Sequence, residues 1–170
     1  LNTLGRLLSL GAVPVVNEND TVSVAEFAFG DNDTLGAIVA TLINADLYVI
    51  LSDVDGLYTA NPQSDPEARL VSRVEAITPE VAAMATGAGS AVGTGGMAAK
   101  VRAARAALSA GIPTVICRGR RAGSLLEAAH GEGVGTRFEP SDGSAPESAR
   151  KLWIGLAEVP HGTIWLDEGA

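Results

Sequence analysis

Leu47-Tyr-Val-Ile-Leu51 runs without a break into Ser52-Asp-Val-Asp-Gly56. An apolar run of this length, bounded by a turn-rich polar stretch, predicts a buried strand that ends in a loop. The same grammar recurs on either side. Upstream, Val13-Pro-Val-Val16 is expected to be a short buried parallel strand, followed by polar residues from Asn17 to Asp33. Between the two runs, Thr34 to Ala45 reads as a helix with Leu35, Ile38, Val39 and Leu42 on one face. Downstream, Thr78-Pro79-Glu80 has the form of an N-cap followed by proline at the first helical position, opening a helix to about Thr86. The glycine-rich segment Gly87 to Gly96 leads into an Ala-rich helix from Met97 to Ala110, closed by Gly111. Pro113 to Cys117 is a further strand, Gly123 to Ala129 a short helix, and Gly133-Val-Gly-Thr136 a last small strand.

Strands alternating with helices predict an α/β fold: an open parallel sheet flanked by helices on both faces. In such sheets ligands bind outside the carboxyl ends of the strands. The loops after Val16, Leu51 and Cys117 should therefore converge on one edge.

Composition is consistent with that class. The chain has 170 residues, 46% of them hydrophobic but only 4% aromatic, so Ala, Val, Leu and Ile must build the core. Its formal net charge of -8 disfavours non-specific binding to nucleic-acid phosphates. The one cysteine, Cys117, lies within an apolar run and reads as a buried thiol, which fits a reducing, cytoplasmic setting. No apolar run approaches the roughly 20 residues needed to span a membrane, and no signal peptide is legible.

Leu1, Leu4, Leu7 and Leu8 recur at helical spacing before Gly11, with no cap ahead of them, so the chain reads as if it begins within a helix. At the other end, residues 140–150 form a linker rich in Ser, Pro, Gly and Asp. Beyond it, Lys151-Leu-Trp-Ile154 and Thr163-Ile-Trp-Leu166 are expected to be strands that begin a small β domain over residues 151–170. His130 and His161 stand in glycine-neighboured settings without metal-ligand spacing and read as surface residues.

Four motifs carry candidate chemistry. Asn17-Glu-Asn-Asp20 follows a strand, where Asn19 and Asp20 suit the carboxylate and ammonium of an amino acid; an Asx-type turn uses the same residues. Gly30-Asp-Asn-Asp33 directly precedes a helix. One of its residues serves as an N-cap, while Asp31 and Asp33 suit Mg²⁺, which takes one or two carboxylates plus substrate phosphates. Ser52 and Asp53 offer a hydroxyl and a carboxylate to a nucleotide, with Val54 and Leu57 as candidate walls for the base. Asp55-Gly56 also fits a structural turn. Finally, Gly93-Thr-Gly-Gly-Met-Ala-Ala-Lys100 runs glycines into a helix N-terminus, where free backbone N–H groups can cradle phosphate. Lys100, about one turn in, is placed to meet a phosphoryl group as a point charge. The order is not that of the P-loop, and Thr94 also suits a cap.

At these motifs the chain resembles the amino acid kinase family. Asp53-Val-Asp-Gly-Leu-Tyr-Thr-Ala-Asn-Pro62 is similar to that family's strand-loop, and Gly-Gly-Met-x-x-Lys100 to its phosphate loop. Asn-Glu-Asn-Asp20 and Gly-Asp-Asn-Asp33 narrow the resemblance to its glutamate 5-kinase branch. The resemblance implies the C-terminal part of a three-layer kinase domain over residues 1–139, and a PUA-like start from about Arg150. It implies ATP and Mg²⁺, transfer of a phosphoryl group to the γ-carboxylate of L-glutamate in proline biosynthesis, and a homo-oligomer. Asp20 and Asn32, with Asn19 and Asp31 beside them, match its glutamate site. Ser52, Asp53, Thr94, Gly95, Gly96, Met97 and Lys100 match its ATP contacts. Lys100 would act on the moving phosphoryl, and Asp33 would be an organising carboxylate. The family's preceding half, with a second lysine, has no counterpart in these residues, so the chain by itself is expected not to turn over. Two further readings are an acetylglutamate kinase, or a non-catalytic module that binds an amino acid, a nucleotide or, through its β tail, RNA.

Overall fold

The computed structural model describes residues 2–17, 32–87 and 96–140. Residues 141–150 of the expected linker and the β domain of residues 151–170 lie outside them, as does His161. In chain order the elements are α1 (Asn2–Ser9), α2 (Asn32–Leu42), β1 (Tyr48–Ser52), β2 (Arg73–Val74), α3 (Pro79–Gly87), α4 (Met97–Ser109), β3 (Thr114–Arg118), α5 (Ser124–His130) and β4 (Thr136–Phe138).

The sheet runs β1-β3-β4-β2. β1 and β3 are parallel, with Tyr48 opposite Thr114 and Ser52 opposite Arg118. The α/β class and the flanking helices are as expected, but the sheet is mixed, because β4 returns antiparallel to β3 and β2 pairs parallel with β4. The short helix α5 stands between β3 and β4 in the chain. β2 had no sequence expectation. It closes an excursion of residues 57–74 in which Tyr58 bridges Leu70, and two residues are too few to show a period.

The two faces of the sheet are packed differently. One carries α2, α3 and α4 over a cluster that includes Ile50, Leu57, Val74, Ile116 and Phe138. The other carries α5, whose Ala128 packs with Val115 and Cys117 of β3. Full burial of Phe138, Leu57 and Ile116 contributes roughly 1.5–3 kcal/mol for each large side chain. Cys117 is buried as expected, and burial pushes its thiol pKa up.

Helix α4 is nearly all alanine on its inner side: Ala99, Ala103, Ala104, Ala106 and Ala107 are buried with Val101. Facing it, α2 buries Ala37 and Ala40, whereas the expected Leu35, Ile38, Val39 and Leu42 are only partly covered. The small residues take the seam because they let two helix backbones come close. Helix α2 ends with Asn44 in the left-handed region at φ 51, a conformation that asparagine tolerates, and the Ala45 N–H donates to the Ala40 carbonyl at 2.9 Å.

Val13 to Val16 is not a strand. Val13 and Val15 are 86% and 94% exposed, and residues 12–17 find no strand partner among the described residues. Pro14 also withholds one N–H from any ladder. The last strand falls at Thr136–Phe138, just past the expected Gly133 to Thr136, because Gly135 takes up a positive φ of 67° before the pairing starts.

Gly135 also lets the chain pass close to the loop after β1. A Cβ there would run into the Ile116 carbonyl oxygen, come within 2.8 Å of the Cys117 Cβ and lie 3.0 Å from the Asp55 carbonyl oxygen. Gly131 has a similar φ of 75° with nothing within 4 Å of such an atom. Gly131→Ala is therefore expected to cost about 1 kcal/mol, and Gly135→Ala about 3 kcal/mol or more, by urea unfolding. Equal losses would mean that backbone conformation alone sets both.

Candidate active site

Parallel pairing sends the C-terminal ends of β1 and β3 the same way. Helix α2 is followed by a short loop into β1, and α4 by a short loop into β3, so each helix starts from the ligand edge. The two helix N-termini meet there. Lys100 Nζ, on the first turn of α4, donates to Asp33 Oδ2 in the first turn of α2 at 2.8 Å. The pair spans 67 positions of sequence, and the two side chains are only 13% and 18% exposed. A partly buried ammonium is costly unless a carboxylate compensates it, and Asp33 does so.

Beside this pair, Asn32 Nδ2 donates to Asn17 Oδ1 at 3.1 Å, which draws the end of the Val13–Val16 segment to the start of α2. Tyr48, the first residue of β1, donates its hydroxyl to the Asp33 carbonyl oxygen at 2.8 Å. Gly96 is the N-cap of α4, with extended backbone and no side-chain cap, and Met97 opens the helix partly buried. The α4 N-terminus therefore offers backbone N–H groups and the positive end of a dipole next to the Lys100 cation.

Ser52 and Asp53 stand at the C-terminal end of β1. Ser52 is buried, and its hydroxyl donates to Asp53 Oδ1 at 3.2 Å. Asp53 itself is exposed. Of the expected walls for a base, Val54 is half-buried, but Leu57 is wholly buried in the core cluster and cannot touch a ligand. The Leu57 N–H donates to Thr136 Oγ1 at 2.8 Å, which turns that residue inward.

Asp55 is structural, in line with its place in a turn. Arg118, the last residue of β3, grips it with Nε to Oδ1 at 2.6 Å and Nη2 to Oδ2 at 3.2 Å, and the Tyr58 hydroxyl donates to Oδ2 at 3.0 Å. Arg118 holds the Asp55 carboxyl below its ordinary pKa against an opposing effect of burial, and Tyr58 assists. Burial and then Asp55 raise the Tyr58 phenol. A second exposed pair, Arg121 Nη1 to Glu127 Oε2 at 2.6 Å, ties the next loop to α5. Arg118 and Tyr48 were not singled out by sequence reading. Arg118 had a signal, since it follows Pro113–Cys117 at the edge where ligand loops converge. Tyr48 had none, because it reads as one more apolar strand residue.

The structure thus brings Asp33 and Lys100 into contact, sets Asn32 next to Asp33 in the chain, and puts Ser52 and Asp53 at the end of β1. Gly96 and Met97 begin the helix that carries Lys100. Asn19, Asp20, Asp31, Thr94 and Gly95 lie outside the described residues. Among the described residues no group of three or more His, Cys, Asp or Glu side chains could hold a metal ion. No described helix is long and apolar enough to cross a membrane.

The sequence model of the amino acid kinase family matches residues 1–118. The chain belongs to the amino acid kinase family. The glutamate 5-kinase of Myxococcus xanthus is 53% identical over 169 residues, which cover 99% of this chain and 44% of that protein. The chain thus spans less than half the length of this curated relative. Among solved structures, a carbamate kinase from Giardia lamblia bound to AMP-PNP is 27% identical with a TM-score of 0.51, over 65% of this chain and 36% of that one. A UMP kinase from Bacillus anthracis, 19% identical, has a TM-score of 0.58 over 85% of this chain and 52% of its own, and shares the fold.

Because the folded pKa of Asp55 lies below its unfolded value of about 3.9, the Asp55–Arg118 contact stabilises above that pH. It is lost as pH falls through the folded value. Arg118→Gln is expected to lower the urea midpoint near pH 6 and to make a shrinking difference below about pH 4. A pH-independent difference would assign the effect to packing of the arginine stem.

Proposed function

We propose that this chain is the nucleotide- and phosphoryl-binding part of a glutamate 5-kinase, which uses ATP to phosphorylate the γ-carboxylate of L-glutamate and yields glutamyl 5-phosphate for proline biosynthesis. The observation that carries the phosphoryl chemistry is the Asp33–Lys100 pair at two adjoining helix N-termini. The substrate is taken from the relative in Myxococcus xanthus, which matches 99% of the chain. The AMP-PNP bound to the Giardia lamblia carbamate kinase supports an adenine nucleotide.

The task follows from charge. The acceptor is already an anion, so no general base is needed. The difficulty is to bring one anion onto another, and cations and helix N-termini must offset that repulsion. Lys100 neutralises charge on the γ-phosphoryl as it moves. Asp33 holds the ammonium at a fixed point, so little reorganisation is required at the moment of transfer. The N–H groups from Gly96 into α4 receive phosphate oxygens, with Thr94 and Gly95 completing the cradle. Ser52 and Asp53 contact the nucleotide at the end of β1. Asn32, with Asn19, Asp20 and Asp31, binds glutamate; Asp20 suits its ammonium.

Mg²⁺ fits this donor set. The ion takes one or two carboxylates beside substrate phosphates and water, and the Asp33 carboxylate at the start of α2 is of that kind. Asp33 is the described carboxylate at the phosphoryl position, with Asp31 close by in sequence. When bound, the ion would shield the β- and γ-phosphate oxygens.

The test uses a polypeptide of the relatives' full length that contains these residues. It is supplied with ATP, Mg²⁺ and glutamate, and hydroxylamine traps the acyl phosphate. A hydroxamate is expected, and Lys100→Ala should lower kcat by about 10²–10³-fold. Retained nucleotide binding without any glutamyl hydroxamate would reject glutamate as acceptor.

A further inference from the structure

The contact between Tyr48 and Gly36 lies beneath the Asp33–Lys100 pair. Tyr48 stands at the start of β1, and its ring reaches up to the N-terminal part of α2. A Cβ on Gly36 would overlap the Tyr48 hydroxyl and come within 3.0 Å of ring atoms Cε2 and Cζ. Glycine is a poor helix former, so its presence in the second turn of α2 suits the need for that space. The hydroxyl seated there donates to the backbone carbonyl of Asp33 at 2.8 Å. The first turn of α2 is thus tied to the sheet at the residue whose side chain receives Lys100.

We propose that Tyr48, seated against Gly36, is a positioning residue: it fixes the backbone of Asp33 and so sets where the Asp33 carboxylate holds the Lys100 ammonium. This inference rests on the proposed phosphoryl-transfer role of Lys100, but its geometric content does not. Tyr48 touches no reacting atom. Without its hydroxyl, the first turn of α2 keeps its helical hydrogen bonds, the Asn32–Asn17 contact and the Lys100 pair, but loses the tie that joins the Asp33 backbone to β1. A helix terminus with fewer ties to its surroundings frays more readily. A displaced Asp33 frees Lys100, and misplacement of a catalytic group by even 1 Å is costly in rate.

The experiment compares the wild-type full-length protein with Tyr48→Phe, Gly36→Ala and the double variant. The first readout is the rate of reductive methylation at Lys100, followed by peptide mass spectrometry, which needs no enzymatic activity. Tyr48→Phe and Gly36→Ala are each expected to raise that rate severalfold, and the double variant should be no worse than Gly36→Ala alone, because the two changes break the same contact. The second readout is the hydroxamate assay. Tyr48→Phe should lower kcat roughly tenfold while KM for ATP and for glutamate stays nearly constant. Unchanged Lys100 labelling in both single variants would overturn the inference, whatever the activity. A lower melting temperature with unchanged labelling and kcat would also overturn it, in favour of a packing role. Altered labelling in a protein that makes no glutamyl phosphate would uphold the positioning and reject glutamate phosphorylation.

Discussion

The seam between α2 and α4 is the constraint on which the site depends. Ala37 and Ala40 on one helix and the buried alanines of the other leave little between the two backbones. Close backbones bring the first turns together, and only then can a lysine and an aspartate 67 positions apart meet at 2.8 Å. Larger residues in the seam would push the helices apart and leave Asp33 and Lys100 each partly buried without its partner. An uncompensated charge in such surroundings is more costly than the pair is favourable. The low aromatic content of the chain therefore has a structural consequence: small core residues make the close approach possible.

A second set of contacts secures the other side of the ligand edge. Arg118 at the end of β3 holds Asp55 beyond the end of β1, so the two loops that leave the parallel strands are tied to each other. Thr136 on β4 takes the Leu57 N–H from beneath. Ser52 and Asp53 lie just ahead of these anchors and inherit a fixed backbone. The polar stretch Ser52-Asp-Val-Asp-Gly-Leu-Tyr58 thus divides its labour along the chain. Ser52 and Asp53 are at the strand end, Asp55 and Tyr58 hold the loop, and Leu57 belongs to the core.

Much of the α/β layout was legible, because strand and helix periods are local properties. Tyr48–Ser52, Thr114–Arg118 and Met97–Ser109 all fell within a residue or two of where the patterns put them. The failures have physical causes. Val13-Pro-Val-Val16 has the composition of a buried strand, but burial needs a neighbour, and no described residues cover Val13 or Val15. The buried face of α2 differs from the one its largest apolar residues mark, because close helix packing selects the smallest, Ala37 and Ala40. Leu57 looked like a wall for a base because a loop residue next to a nucleotide motif is normally at the surface.

What the sequence determined by itself was local and compositional: which segments are helix or strand, that glycines run into the helix bearing Lys100, and that acidic and amide residues precede the helix bearing Asp33. Family membership also followed from the order of these motifs. Tertiary structure decided which charges meet. Asp33 with Lys100, Asp55 with Arg118, and Tyr48 with the Asp33 backbone are contacts between distant segments, set by parallel strand register and helix approach. No period or propensity encodes them, since the energy of an ion pair depends on distance and burial, and both exist only once the chain has closed on itself.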